Sequence, residues 1–266
     1  MLLIMLSSVL NAQEKAAYRI TYDCDALHSR TRLTYRWSLD IGRETAVFYN
    51  AHFRLHGKAL EELKNGADLS TVMDGIRQLG PKYPNRNGLE VLIGAPEAGY
   101  YTYAKQIGAD PLFYEEPLPQ MDWQLVDSTS IICGYECCKA VATVYGRTWT
   151  VWYAPGIPLS YGPYVLGALP GLILDAVDEE GLFHFTAVGI ETAPDDARIE
   201  LYSVSKAVKC TRKKYLELRN AAAGRTWSEV AKAAVGSGRS VVKILDANGK
   251  EITDQKPESK NYLDKE

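Results

Sequence analysis

The sequence lacks several features that would place it in familiar protein classes. It has only five cysteines and no C-x-x-C pair, so the spacing typical of redox and zinc-binding motifs is missing. Beyond the N-terminus no stretch reaches the roughly 18 consecutive apolar residues of a transmembrane helix, and no membrane span is predicted. The formal net charge is −3, so no general attraction to nucleic acid is expected.

The signatures of common enzyme classes are missing as well. The sequence contains no G-x-S-x-G elbow and no Walker or dinucleotide-binding glycine pattern. His52 and His56 are four residues apart, but no Glu follows the first, so the metalloprotease pattern is not met. Adjacent acidic pairs such as Glu115-Glu116 point in different directions and do not form a carboxylate dyad by spacing. No metal site or cofactor is therefore predicted, and the catalytic residues of any enzyme activity stay unassigned.

What the sequence does contain is a β-rich pattern. Seventeen Tyr and five Trp stand beside only five Phe, and Tyr and Trp favour strands, interfaces and ligand grooves. Alternating segments predict strands at Tyr18–Cys24 and Tyr100–Ile107. An antiparallel meander is predicted from three further strands joined by turns at Gly134-Tyr135 and Gly146-Arg147, namely Trp123–Cys133, Cys137–Tyr145 and Thr148–Tyr153.

These elements predict a mainly β fold with minor α, in which the antiparallel meander forms an open or bowl-like β-barrel. A helix is expected at Thr211–Ala223, with Thr211 as its N-cap, and a short one within Leu60–Leu79. Residues 80–99 are rich in Gly and Pro and predict a loop. One domain is expected over residues 13–253, followed by a polar, disordered tail at 254–266.

The N-terminus predicts export. Leu2–Leu10 is a short apolar run, and Ala12 lies where a signal peptidase would cut, so residues 1–12 are interpreted as a signal peptide. The protein is then expected in the periplasm or outside the cell, where disulfides form. The disulfide candidates are Cys24, Cys133, Cys137, Cys138 and Cys210, with a bond across the Gly134-Tyr135 turn or between Cys24 and Cys210.

Candidate ligand-binding residues concentrate in the predicted meander, at Trp123, Tyr135, Arg147, Trp149, Trp152 and Tyr153. Trp149 and Tyr153 share one face of their strand and Trp152 lies on the other, and the sequence leaves open which face is the core. Arg147 is either a surface turn residue or an anchor that binds a carboxylate or stacks on an aromatic ring.

An apolar segment punctuated by Gly and Pro follows, YGPYVLGALPGLIL from Tyr161 to Leu174. Proline fixes the backbone and glycine permits close chain approach. The pattern therefore predicts a rigid, packed element beside the binding concavity, made of Gly162, Pro163, Gly167, Leu169, Pro170, Gly171, Leu172 and Ile173.

Here the sequence resembles the bacterial GLPGLI family, named after the motif that appears as ALPGLI at Ala168–Ile173. The family occurs in envelopes of bacteria related to Porphyromonas and Bacteroides. Further matches follow in the family's order, including Trp123, Gly134-Tyr135, Cys137, Gly146-Arg147, Trp149, Val151-Trp152-Tyr153 and Gly162-Pro163. The resemblance implies an envelope location and a β fold but no reaction. Ala168 replaces the first Gly of the motif, so this position is expected not to require a positive φ.

Three functions are compatible with these observations. The first is an envelope module that binds an apolar or glycan ligand through aromatic side chains. The second is a hydrolase with carboxylates gathered from several strands. The third is an assembly factor that acts beside an outer-membrane protein.

Overall fold

The computed structural model describes residues 14–28, 31–83, 87–107, 110–202, 207–223 and 262–263. The predicted signal peptide, residues 1–12, lies outside the described residues. No helix in the described ranges is long and apolar enough to cross a membrane. The predicted mainly β class is confirmed, because strands dominate and helices are few.

The strands, in chain order, are β1 (Glu14–Lys15), β2 (Tyr18–His28), β3 (Thr31–Ile41), β4 (Ala46–Asn50), β5 (Glu90–Ile93), β6 (Tyr100–Ile107), β7 (Asp110–Pro117), β8 (Gln124–Ile132), β9 (Tyr135–Val144), β10 (Arg147–Ala154), β11 (Leu172–Asp178), β12 (Phe183–Thr192), β13 (Arg198–Ile199) and β14 (Val208–Lys209). The helices are α1 (Ala51–Lys64), α2 (Leu69–Lys82) and α3 (Arg212–Ala223).

Within the described ranges, twelve strands form one open sheet in the order β14-β7-β6-β5-β4-β3-β2-β12-β11-β10-β9-β8. Its neighbours are antiparallel, except that β14 runs parallel to β7. In the part of the chain that the structure describes, the sheet does not close, and β8 and β14 form its two edges. The predicted meander is confirmed as β8, β9 and β10, with turns where the glycines lie.

Two parts of the predicted element order are wrong. The structure has α1 before the expected short helix, because the Asn50 side chain caps it by accepting a hydrogen bond from the Phe53 N–H at 3.0 Å. The segment predicted as a loop at 80–99 contains β5, which is buried along its whole length between β4 and β6. By contrast α3 begins as expected, with the Thr211 hydroxyl accepting from the Lys214 N–H.

The main core lies on the inner face of the curved sheet and is rich in aromatic rings. Trp37 stacks on Phe48 with ring centroids 4.8 Å apart, and Tyr103 stacks on Tyr114 at 4.9 Å. The Tyr101 and Tyr145 hydroxyls lie 2.7 Å apart, although β6 and the β9–β10 turn are distant in the sheet order. The sheet therefore curls until its two halves meet at this end.

The other face of β2–β6 carries a smaller apolar cluster and buried ion pairs. Arg54 of α1 binds Glu90 at 2.7 Å and stacks over the Tyr49 ring at 3.7 Å. Arg19 binds Asp40 through two hydrogen bonds of 2.7 and 2.8 Å. Burial raises the pKa of Tyr49 to about 12, so its hydroxyl stays protonated and donates to Asp40. The contacts of Arg54 hold α1 against the sheet, and the Arg19–Asp40 pair ties β2 to β3.

Candidate functional site

Strand β10 resolves the question that the sequence left open. Trp149, Val151 and Tyr153 face the core, whereas Thr148, Thr150 and Trp152 lie on the outer, partly exposed face. The alternation follows directly from strand geometry. Trp149 and Tyr153, the two predicted binding aromatics that share a face of β10, are therefore buried packing residues. Trp152, on the opposite face, is accessible.

Arg147 lies on the inner face and is buried, with 2% of its surface exposed. Its Nη1 binds the carboxylates of Asp178 and Glu180, the latter at 3.4 Å. The guanidinium also lies over the Phe183 ring, with 5.1 Å from Cζ to the centroid. Asp178 is fixed in turn, because its Oδ1 accepts from the Phe183 N–H at 2.7 Å. Of the two interpretations of Arg147, the surface turn residue is therefore wrong, and the carboxylates and ring that it contacts belong to its own chain.

The remaining nitrogens of Arg147 reach the end of the chain. Nη2 donates to the Tyr262 carbonyl at 2.9 Å, and Nε donates to the Leu263 carbonyl at 3.3 Å. Tyr262 and Leu263 belong to the segment predicted to be disordered, yet they pack against the core. The rest of residues 254–266 lies outside the part of the chain that the structure describes.

A cleft lined by aromatic side chains opens beside these two residues. Its volume is about 40 Å³, room for only a water molecule or two. The aromatic and charged lining residues are Tyr35, Trp37, Tyr103, Lys105, Phe183, Phe185 and Tyr262. The sequence did not indicate this cleft, because its walls come from β2, β3, β6 and β12 and converge only in the fold.

A larger groove of about 310 Å³ lies on the outer face of the meander. It is lined by hydrogen-bonding side chains of three neighbouring strands and the segment before them, together with two small apolar ones: Asp122, Gln124, Thr143, Thr148, Val141 and Ala142. The Thr143 and Thr148 hydroxyls face each other at 3.3 Å across β9 and β10. The sequence did not indicate that these residues form a groove. The outward threonines of β10 could be recognised only as the polar positions of its alternating polar and apolar pattern.

The other predicted binding residues occupy different places. The Trp123 indole N–H donates to the Gly167 carbonyl at 2.9 Å and ties the residue before β8 to the Gly/Pro segment. Tyr135 is exposed at the β8–β9 turn. Trp152 lies on the same face as the groove, with the Lys139 ammonium 5.7 Å from its ring centroid. Trp152 is therefore the predicted aromatic that lies on the groove's face of β10.

The Gly/Pro segment packs against the core. Gly162, Pro163, Gly167, Leu169, Gly171, Leu172 and Ile173 are buried, whereas Ala168 and Pro170 are exposed. Ile173 is held from two sides, because its N–H donates to the Tyr161 carbonyl and its own carbonyl accepts from the Tyr22 hydroxyl. Ala168 has φ +61°. The expectation that this position does not require a positive φ was wrong: alanine takes the left-handed conformation that glycine adopts without strain.

All five cysteines are free thiols in the structure, rather than the expected disulfides. The register explains why the cross-turn pair does not form, since Cys137 and Cys138 lie opposite Ser130 and Thr129, and Cys133 lies in the turn itself. Burial raises the pKa of Cys137 to about 11 and that of Cys24 well above its usual value. These two thiols therefore stay protonated at neutral pH.

Other polar groups that sequence analysis singled out are dispersed. On α1, the Nδ1 atom of His52 lies 2.7 Å from the Tyr83 carbonyl oxygen. The centroids of the His52 and His56 rings are 6.3 Å apart. His184 pairs with Asp175 at 2.8 Å on the outer face, and this hydrogen bond raises the His184 pKa. Within the described ranges, no group of three or more His, Cys, Asp or Glu side chains is placed to hold a metal ion.

Comparison with known proteins identifies structures with a similar fold. A family model described as the N-terminal domain of N-glycanase peptide (PNGase F-II) matches residues 103–214, fewer than half of the chain. A search of curated proteins found no match. Two crystal structures of PNGF-II, in the C2 and P21 space groups, superpose with TM-scores of 0.52 and 0.50 at 16% identity. They cover 78% of this chain, which spans only 33% and 34% of theirs. The shared feature is therefore a fold, which this chain has in common with part of a longer protein.

Proposed function

We propose that the chain is an exported, non-catalytic β module that binds a glycan in the outer-face groove. The observation that carries this proposal is the size and lining of that groove. Small-molecule sites usually enclose about 300–1,000 Å³, so the groove of about 310 Å³ is large enough and the inner cleft of about 40 Å³ is not.

The chemistry of the lining matches a ligand covered with hydroxyl groups. The Asp122 carboxylate accepts hydrogen bonds, the Gln124 amide donates and accepts, and the Thr143 and Thr148 hydroxyls do both. Trp152 lies on the same face of β10, four residues or roughly 13 Å from Thr148, and part of its aromatic ring is accessible. All these residues lie in the range that matches the N-glycanase family model, which favours a glycan as the ligand class.

A binding role is favoured over hydrolysis by the way the buried acids are held. Asp40, Glu90 and Asp178 each pair with an arginine. In each pair the guanidinium engages the carboxylate within the protein. A general acid must instead bring its carboxyl group within hydrogen-bonding reach of a substrate atom.

Export and membership of the GLPGLI family belong to the same proposal. Export is supported by the apolar run before Ala12. Membership of the GLPGLI family is supported by the motif at Ala168–Ile173 and by the further matches that occur in the family's order. N-terminal sequencing of the protein from the producing cell's envelope should show a mature chain that begins close to Gln13. A chain that retains Met1 in the cytoplasm would contradict export.

The test of the groove is isothermal titration with a free N-glycan oligosaccharide. The parent protein should bind it, and the double variant Thr143→Val/Thr148→Val should bind it about 5- to 150-fold more weakly. This range corresponds to two lost hydrogen bonds of about 0.5–1.5 kcal/mol each. Valine keeps the shape and strand preference of threonine, so folding should be preserved.

The matched control is Thr192→Val, which removes an exposed strand threonine of β12 that does not line the groove. It should bind like the parent. Absence of binding by the parent, or equal affinity of the double variant and the control, would refute the glycan site.

A further inference from the structure

The inner aromatic cleft differs from the outer groove in one respect: part of its wall comes from a short segment near the end of the chain. Tyr262 and Leu263 line the cleft together with side chains from four strands of the inner face. Arg147 and Trp149 point to this inner face, whereas the groove residue Thr148 points to the outer one. The cleft and the groove therefore lie on opposite faces of the sheet.

The contacts that hold the dipeptide are those of peptide recognition. Arg147 donates to two consecutive main-chain carbonyls, those of Tyr262 at 2.9 Å and Leu263 at 3.3 Å. Asp178 and Glu180 bind the third nitrogen and so orient the guanidinium. Main-chain carbonyls are common to every peptide, so this fork sets the position of a bound chain without reading its sequence.

Selectivity comes from the side chains. The Arg219 guanidinium lies 4.2 Å from the centroid of the Tyr262 ring, and the Lys105 ammonium lies 5.9 Å from it. Leu263 packs against the main apolar cluster. Two cations near one ring favour an electron-rich aromatic side chain, and the apolar contact favours an aliphatic residue after it.

We infer that the inner cleft is a binding site for a peptide with an aromatic residue followed by an aliphatic one, and that Tyr262-Leu263 is its resident, displaceable ligand. A peptide of the same sequence supplied from another molecule then competes with the chain's own dipeptide for Arg147 and the aromatic walls. The inference does not depend on the glycan groove.

The test uses the full chain with Tyr262→Ser and Leu263→Ser, which removes both side chains from the cleft. The probe is a fluorescent peptide of residues 258–266, ESKNYLDKE, and the control peptide, ESKNSSDKE, carries the same two serines. Fluorescence anisotropy should show saturable binding of the first peptide to the double variant. The parent should bind it at least about 10-fold more weakly, because its own dipeptide competes within the molecule. The control peptide should bind the double variant at least about 10-fold more weakly than the first peptide.

Equal binding of both peptides to the double variant, or no binding of either, would overturn the inference. If the double variant does not unfold cooperatively, the single variant Tyr262→Ser replaces it, with the same peptides and expectations. Loss of cooperative unfolding in the single variant as well would show that the dipeptide is an integral part of the core, and would also overturn the inference.

Discussion

Replacing Gly171 with alanine adds one methyl group where the backbone leaves no room for it. An ideal Cβ would lie 2.3 Å from the Ala154 carbonyl oxygen and 2.6 Å from its carbon. Both are main-chain atoms at the end of β10, where Ala154 pairs with Leu172, so no side-chain rotation relieves the contact. Overpacking usually costs about 1–3 kcal/mol, and we expect about 3 kcal/mol here because backbone must move.

Urea unfolding of the variant and the parent measures this free energy directly, provided that the slope with denaturant is unchanged. In a thermal melt the same loss corresponds to a midpoint lowered by about 6–12 °C. The control is Gly156→Ala in the same connection between β10 and β11, since nothing lies within 4 Å of its added Cβ. It should stay within about 0.5 kcal/mol of the parent. If Gly171→Ala and Gly156→Ala have the same free energy of unfolding, the Gly/Pro segment is not packed as described.

Three further predictions concern the backbone of Ala168, the ion pair of His184 and the burial of two cysteines. Ala168→Gly should stabilise the protein by about 0.5 kcal/mol or more in the same urea assay, because it relieves the left-handed φ of +61°; a loss of stability would contradict this reasoning. The raised pKa of His184 should return toward 6.5 in Asp175→Asn, as followed by NMR titration of the imidazole. Because the folded pKa is the higher one, the pair stabilises the fold below about pH 6.5 and loses this effect as pH rises through the folded pKa. In timed alkylation of the folded protein, exposed Cys133 should react well before buried Cys137, and equal rates would count against the described packing.

The meander could be predicted from the sequence because each of its strands carries a local signal. Residues of β10 alternate between core and surface, and glycines mark the turns on either side of β9. The shorter β5 carries no such signal, because its four residues are buried on both faces and Glu90 is paired with Arg54. Only tertiary contact makes that stretch a strand.

The candidate sites were harder to predict, since they depend on residues that are distant in sequence. Arg147 meets Asp178 from the next strand and Tyr262 from near the end of the chain, and no spacing announces either contact. The aromatic residues singled out from the sequence divide into buried packing residues, such as Trp149, and accessible ones, such as Trp152. The face could be assigned only after the curl of the sheet was known.

The central claim, that the outer-face groove binds a glycan, is tested most directly by mapping the bound ligand on the protein. Amide chemical shifts recorded by NMR during titration with an N-glycan oligosaccharide should change saturably around Gln124, Thr143 and Thr148, the groove residues. Amides around Trp37 in the inner cleft should not move. Shifts confined to the inner cleft, or no shifts at any attainable glycan concentration, would contradict the account.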